Sequence, residues 1–242
     1  MWLGVARSLW IYRRPGVRHR AMDALYRRFV GPGDLVFDVG AHVGDRVASF
    51  RRLGAGVVAV EPQPVLARVL RWLHGRDRGV VLERVAIGAA QGEIALQINR
   101  RNPTVSTVSA DFIAAAQGAP GWEGQRWDAT VRVPQRRLDD LIDHHGEPAF
   151  IKLDIEGHEA AALEGLSRPV AALSFEFTTM QRGPAVVCLE RLGELGEYRF
   201  NAALGESQQL ALPDWVDAAA LRAWLLALPP DANSGDIYAR RA

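Results

Sequence analysis

A short apolar run, Leu35-Val36-Phe37-Asp38-Val39, passes directly into Gly40 and Gly44, and around them Val43, Val47, Phe50 and Leu53 recur every three or four residues. The pattern reads as strand, glycine turn, helix, and it constrains the fold more than any other feature of the chain. Such a turn is where an α/β protein brings bare backbone N–H groups to a ligand. A second apolar run, residues 57–60, ends in Glu61-Pro62. It lies roughly 20 residues on, where an acid at a strand tip suits the hydroxyls of a ribose. Together the two point to a nucleoside-bearing cofactor.

The rest of the chain keeps the same rhythm. Strand-length apolar runs at 80–87, 150–153, 171–177, 198–203 and 236–239 alternate with helical patterns such as Val65, Leu66, Val69, Leu70 and Leu73, or Leu221, Trp224, Leu225 and Leu228. Near-continuous Val, Ile, Leu and Phe suits strands buried on both faces. The alternation predicts a mostly parallel sheet with helices on both sides. With 242 residues, 48% hydrophobic and 24% charged, the chain is long enough for one sizeable α/β domain. We expect a helical extension over residues 1–30 and a single domain over 31–242. An irregular insertion at about 99–130 follows a short strand at 93–98 and carries Trp122 and Trp127, which would either stack on a ligand or anchor the loop.

A net charge of +1 gives no general pull toward nucleic acid or membrane. The single cysteine, Cys188, fits core packing and a reducing, cytoplasmic setting. Residues 1–12 combine Trp2, Trp10 and other apolar residues with Arg7, and read as a helix packed on the domain rather than a signal peptide.

The glycine spacing is Gly-x-x-x-Gly, not the Gly-x-Gly-x-x-Gly of pyrophosphate binders, and Asp38 and Asp45 place negative charge where a phosphate would be repelled. Both facts turn the reading from NAD toward S-adenosylmethionine, a nucleoside with a cationic centre and no phosphate. Asp38, expected at the strand's carboxyl end, would accept loop N–H groups or meet the ligand's amine; Glu61 would accept the ribose hydroxyls. A second constellation follows in Phe150-Ile151-Lys152-Leu153-Asp154-Ile155-Glu156-Gly157-His158-Glu159. Strand alternation sends Lys152 and Asp154 to one face, and an ionised group ending an apolar strand needs a partner, solvent or a ligand.

Asp-Val-Gly-Ala-x-x-Gly, Glu-Pro, Leu138-Asp139-Asp140-Leu141 and Lys-x-Asp-x-Glu-Gly-x-Glu together resemble the FkbM-type S-adenosylmethionine-dependent methyltransferases, from about Gly33 to Phe177, with an echo in Asp236-Ile237-Tyr238-Ala239. The resemblance implies a Rossmann-like class I methyltransferase fold with a seven-stranded sheet. It also implies methyl transfer to an oxygen of a sugar or another hydroxylated small molecule or glycan. It would place Asp38, Gly40 and Gly44 along the methionine part of the cofactor, Glu61 on the ribose, Val85 and Ala86 along the adenine, and Asp154 beside the transferred methyl. The family usually carries Asn where this chain has His42, so His42 is given no catalytic role.

A hydroxyl acceptor needs alignment and a proton acceptor. Asp154 is the first candidate for that role and His158 the second. Asp154 and Glu176, near the ends of neighbouring strands, could hold Mg²⁺, but no cluster has the spacing of metal ligands and no metal site is assigned. Rival readings are a nucleic-acid methyltransferase, a non-catalytic cofactor-binding module and, last, an NAD oxidoreductase. Against the first, the one Pro-Pro pair, Pro229-Pro230, follows Leu228 rather than an Asn or Asp, and acids offset the cluster Arg126, Arg132, Arg136 and Arg137.

Overall fold

In chain order the elements are α1 (Val17–Tyr26), β1 (Leu35–Val39), α2 (Asp45–Arg52), β2 (Gly56–Val60), α3 (Pro64–His74), β3 (Val80–Glu83), β4 (Ala86–Ile87), β5 (Gly92–Ile98), a 3-10 turn (Pro103–Val105), α4 (Ala110–Ala116), β6 (Ala129–Arg136), α5 (Leu138–His145), β7 (Phe150–Leu153), α6 (Glu159–Glu164), β8 (Ala172–Phe177), α7 (Gly183–Leu195), β9 (Tyr198–Leu204), α8 (Ala218–Ala227) and β10 (Gly235–Arg241). This computed structural model describes residues 4, 7–10, 17–229, 231–232 and 234–242. Most of the Trp- and Arg-bearing segment at residues 1–16 lies outside the described residues.

The main sheet has seven strands in the order β3-β2-β1-β7-β8-β10-β9. Neighbours from β3 to β8 are parallel, and β10 runs antiparallel between β8 and β9. The expected α/β sheet is thus present, and its reversed β10 brings the start of the last strand, Gly235-Asp236, to the edge where the parallel strands end. The strand order reverses between β1 and β7, and a crevice opens at such a switch point.

β1 and β7 are apolar through most of their length because helices cover both faces. On one face Met22, Leu25 and Tyr26 of α1 pack with Phe50 and Phe150, and the Tyr26 ring lies 4.5 Å from Phe50 and 5.7 Å from Phe150. On the other, Leu138, Leu141, Leu163, Leu189 and Leu192 pack against β7 and β8. α1 is therefore part of the core packing, and burying its apolar stripe contributes about 1.5–3 kcal/mol per large side chain.

Two expectations need correction. The run at 80–87 is not one strand: β3 ends at Glu83, the chain peels off the sheet edge, and Ala86-Ile87 pair instead with Gln135-Arg136 of β6. The insertion at 99–130 is less irregular than its glycines and prolines suggest. It holds the 3-10 turn and α4, whose N-terminus is capped by Ser109 accepting from the Phe112 N–H. β6 was missed in sequence because every second side chain is exposed, only Val133 is buried and the strand includes Pro134, so it lacks the apolar run that marks a buried strand. With β4 and β5 it forms a separate small sheet.

Candidate active site

The turn after β1 is held by β2: the N–H groups of Gly40 and Ala41 both donate to the Val60 carbonyl, at 2.9 and 3.0 Å. Gly40 has φ 89°, and a Cβ there would collide with the carbonyl of Asp154 on the neighbouring strand end. Only glycine lets β1 and β7 close up at the switch point. Gly44, at φ 75°, opens α2, and a Cβ on it would meet Leu70 and His74 of α3 at 2.8 Å. Its role is thus to seat one helix on another, and it does not line the adjoining pocket. His42 has φ 49°, a left-handed conformation that Asn adopts more readily than most residues.

Beside the turn lies a pocket of about 530 Å³ lined by Gly40, His42, Glu61, Val85, Ala86, Asp154 and His158, among others. Val60, Ile87, Leu96 and Val108 give one end apolar walls. Glu61 is buried at the β2 tip, where one carboxylate oxygen accepts from the His42 N–H at 2.9 Å and the other from the Gln63 N–H at 2.8 Å. Burial pushes its carboxyl up to about 8 despite these two backbone donors. Each oxygen keeps a lone pair for a further donor.

Asp38 departs from expectation. It lies inside β1 rather than at its end, has no exposed surface, and neither carboxylate oxygen accepts a hydrogen bond from the described residues. Burial pushes it up to about 7, with Arg46 and Lys152 opposing. It pairs across the sheet with Lys152, which is followed by Ser174, Tyr238 and Asn201 in register. All five are buried. Asp38 thus belongs to a polar row running behind the pocket and not to its wall.

One step toward the strand ends stands a second group. Lys152, with no exposed surface, donates to Asp236 at 2.6 Å and lies 3.4 Å from Asp154. Arg46 reaches Asp45 at 3.2 Å, Glu206 at 3.7 Å and Asp154 at 3.8 Å. Burial would raise the Asp154 carboxyl, but the charges of Lys152 and Arg46 hold it below the usual carboxylate range. Glu156 and Glu176 are pushed up, by burial first and then by the neighbouring acids. All of these but Lys152 line a second pocket of about 810 Å³, which shares Gly40, His42, Thr104, Asp154 and Glu156 with the first. Its walls carry six carboxylates, Asp45, Asp154, Glu156, Glu176, Glu206 and Asp236, against the one guanidinium of Arg46.

Glu159 opens α6 and accepts from the Ile155 N–H at 2.9 Å, a structural contact. Glu156 and Gly157 form a left-handed turn before it, at φ 55° and 87°. This turn points Glu156 at the pockets instead of leaving it on a helix end.

A profile of the family described as "Methyltransferase FkbM domain" matches residues 38–227. The chain belongs to the FkbM methyltransferase family. The match extends well past Phe177, where the resemblance in sequence fades, into α8. S-adenosylmethionine is accordingly the cofactor, and the sheet, with its antiparallel β10, is that of a class I methyltransferase. No functionally curated protein sequence matches significantly. Among solved structures, an O-methyltransferase from Bacillus cereus in complex with SAH is similar at 14% identity, covering 100% of this chain and 88% of that one with a TM-score of 0.48. A precorrin-6y C5,15-methyltransferase from Geobacter metallireducens is similar at 12% identity, covering 93% and 87%, with a TM-score of 0.48.

The FkbM domain closes this site with the 99–130 segment. Thr104, Ser106, Thr107 and Val108 line the first pocket. The Thr107 hydroxyl donates to the Glu156 carbonyl at 2.7 Å, and Gln63 donates to the Pro103 carbonyl at 3.0 Å. Trp127 donates from its indole to the Val105 carbonyl at 2.8 Å, while Trp122 packs edge-on to Phe112 at 5.3 Å. Both tryptophans therefore anchor the segment. Sequence reasoning missed Arg46, Thr104, Glu206 and Asp236 as site residues; a polar residue outside a motif carries no local mark of the pocket it will face. Asp236 alone had a signal, an acid opening an otherwise apolar strand.

Proposed function

We propose that the protein transfers the methyl group of S-adenosylmethionine to a hydroxyl oxygen of a sugar or a related polyhydroxylated small molecule or glycan. The observation that carries this reading is the acid-lined second pocket, joined to the first at Gly40 and Asp154. A wall of hydrogen-bond acceptors matches a partner rich in O–H donors, and it repels the phosphates of a nucleic acid.

The first pocket fits the cofactor: Glu61 faces it with free lone pairs for the ribose, Val85, Ala86 and the apolar end suit the adenine, and the Gly40 turn leaves room for the methionine part. Asp38, set behind the wall, and Gly44, under α3, act on that part only through the turn they support. When bound, the cofactor supplies an electrophilic methyl whose bond to sulfur is exchanged for one to the acceptor oxygen as the acceptor proton leaves. Asp154, ionised at neutral pH, accepts the acceptor's O–H and orients it. Burial lowers His158 below the usual imidazole range, so it stands neutral as a second proton acceptor. A cytoplasmic setting fits the unpaired, buried Cys188. Among the described residues no helix is long and apolar enough to cross a membrane.

The test is methyl transfer from radiolabelled S-adenosylmethionine to a panel of sugars and glycans. The Asp154→Asn variant should keep cofactor binding and lose roughly 10²–10⁴ in turnover. Full turnover in that variant would remove Asp154 from the chemistry, and label entering RNA rather than any glycan would replace the acceptor class.

A further inference from the structure

The acid cluster at the junction of the two pockets is not balanced like the acids around it. Asp236 has Lys152 at 2.6 Å, and Asp45 has Arg18 and Arg46, each at 3.2 Å. Asp154, Glu156 and Glu176 bring one carboxylate oxygen each to within 4.8 Å of one another. Lys152 approaches only Asp154 of these three, at 3.4 Å, and is held more closely by Asp236. Glu156 is 7% exposed, lines both pockets, and its carboxylate has no hydrogen-bond or ion-pair partner among the described residues. The Oε2 of Glu176 is enclosed and equally unpartnered. A buried carboxylate without a donor is costly, and here two of them face a third.

We propose that Asp154, Glu156 and Glu176 bind a divalent, oxygen-preferring cation of the Mg²⁺ or Mn²⁺ class at the boundary between the cofactor and acceptor pockets. An octahedral ion about 2.1 Å from each ligand places adjacent oxygens roughly 3 Å apart, a spread the cluster reaches with small rotations of the two glutamates. The three ligands come from rigid places. Asp154 is fixed at its N–H to the Val39 carbonyl at 2.9 Å, the Glu156 backbone is held by Thr107 at 2.7 Å, and Glu176 is the penultimate residue of β8. Three carboxylates and the open side of the second pocket leave coordination positions for water and for the acceptor. Among the described residues, the other group of possible ligands, Glu83, His144 and His145, is different in kind: His145 already meets Glu83 at 3.0 Å, and His144 is exposed. If the acceptor is a hydroxyl, as proposed above, an ion here would bind its oxygen and make its proton easier to lose.

Binding can be measured apart from turnover. Mn²⁺ is titrated into the full chain saturated with S-adenosylhomocysteine, and free ion is followed by electron paramagnetic resonance. One ion per chain is expected, with Glu156→Gln and Glu176→Gln each weakening it at least ~10-fold; Glu176→Gln, outside the lining of the first pocket, leaves S-adenosylhomocysteine binding by calorimetry intact. Failure to bind Mn²⁺, or equal binding in both variants, overturns the site. So does a pocket that refuses Mn²⁺ but takes up glucosamine in a Glu176-dependent way, which would make the acids a seat for a cationic acceptor. Methyl transfer at full rate after exhaustive chelation, with no Mn²⁺ bound, sinks the cation and spares the methyltransferase reading. Stoichiometric Mn²⁺ without transfer to any hydroxylated acceptor supports the cation and sinks the hydroxyl acceptor instead.

Discussion

The two pockets at the strand ends are built by opposite means. The first rests on backbone: two N–H groups on the Val60 carbonyl, two more on Glu61, and a glycine where β1 meets β7. It contains few charges and its far end is apolar. The second rests on side-chain charge: Arg46 and Lys152 tie Asp45, Asp154, Glu206 and Asp236 together, and Glu156 and Glu176 stand beside them. Backbone donors are supplied by local geometry and tolerate variation in side chains. A buried charge network holds only when every partner is present. The cofactor half should therefore fail gradually and the acid half abruptly.

The sharpest way to break that contrast is Lys152→Met. It strands Asp236 and Asp154 beside each other, and should cost about 3–5 kcal/mol of stability, measured by urea unfolding. A loss under 1 kcal/mol would mean the acids relax into solvent and the network is not cooperative.

On the cofactor side, Glu61→Gln sets an amide NH2, which cannot accept, against one of the two backbone N–H donors; it should cost about 1–3 kcal/mol of stability and weaken S-adenosylmethionine by about 1.5–3 kcal/mol. The same residue predicts a pH signature. Its carboxyl rises from an ordinary 4.5 to about 8 in the fold. Between those values the native state holds a proton that the unfolded chain has lost, so Glu61 makes the ligand-free protein less stable as pH rises through the window. Asp38 adds the same trend from 3.8 to about 7. Ribose hydroxyls donate to the ionised form, so cofactor binding near neutral pH should release protons, visible as a buffer-dependent binding enthalpy in calorimetry. Glu61→Gln should abolish its share, and an unchanged buffer dependence would place the titrating group elsewhere.

The smallest expected effect sharpens the boundary between the halves. Trp127→Phe removes the indole bond to Val105, worth about 0.5–1.5 kcal/mol, and should loosen the 103–108 segment that touches both pockets. The acceptor KM should rise more than the cofactor Kd changes; equal effects would show that the segment closes the cofactor pocket alone.

The contrast also explains what could be read in the chain. β1, β2 and β7 stand where the apolar runs put them, and Gly40, Glu61, Val85, Ala86, Asp154 and His158 do line one pocket. Those features are local: an apolar run, a glycine next to a strand end, an acid at a tip. Asp38 and Gly44 follow the same motif but face away from the pocket, because spacing along the chain does not say which face of a strand or turn a side chain joins. β6 escaped notice because a strand with exposed alternating polar residues resembles a loop.

What the sequence alone determined was the class of fold and the family, since both are carried by short local motifs, an apolar run with the glycine turn or acid that directly follows it. The acid half was decided only by tertiary structure. Arg46, Asp154, Glu176, Glu206 and Asp236 are distant in the chain. They meet because β10 runs antiparallel to its neighbours and carries its first residues to the edge where the parallel strands end. Whether a carboxylate there is paired with a cationic side chain, as Asp236 is, or stands without one, as Glu156 and Glu176 do among the described residues, depends on distances of a few ångströms that no spacing in sequence encodes.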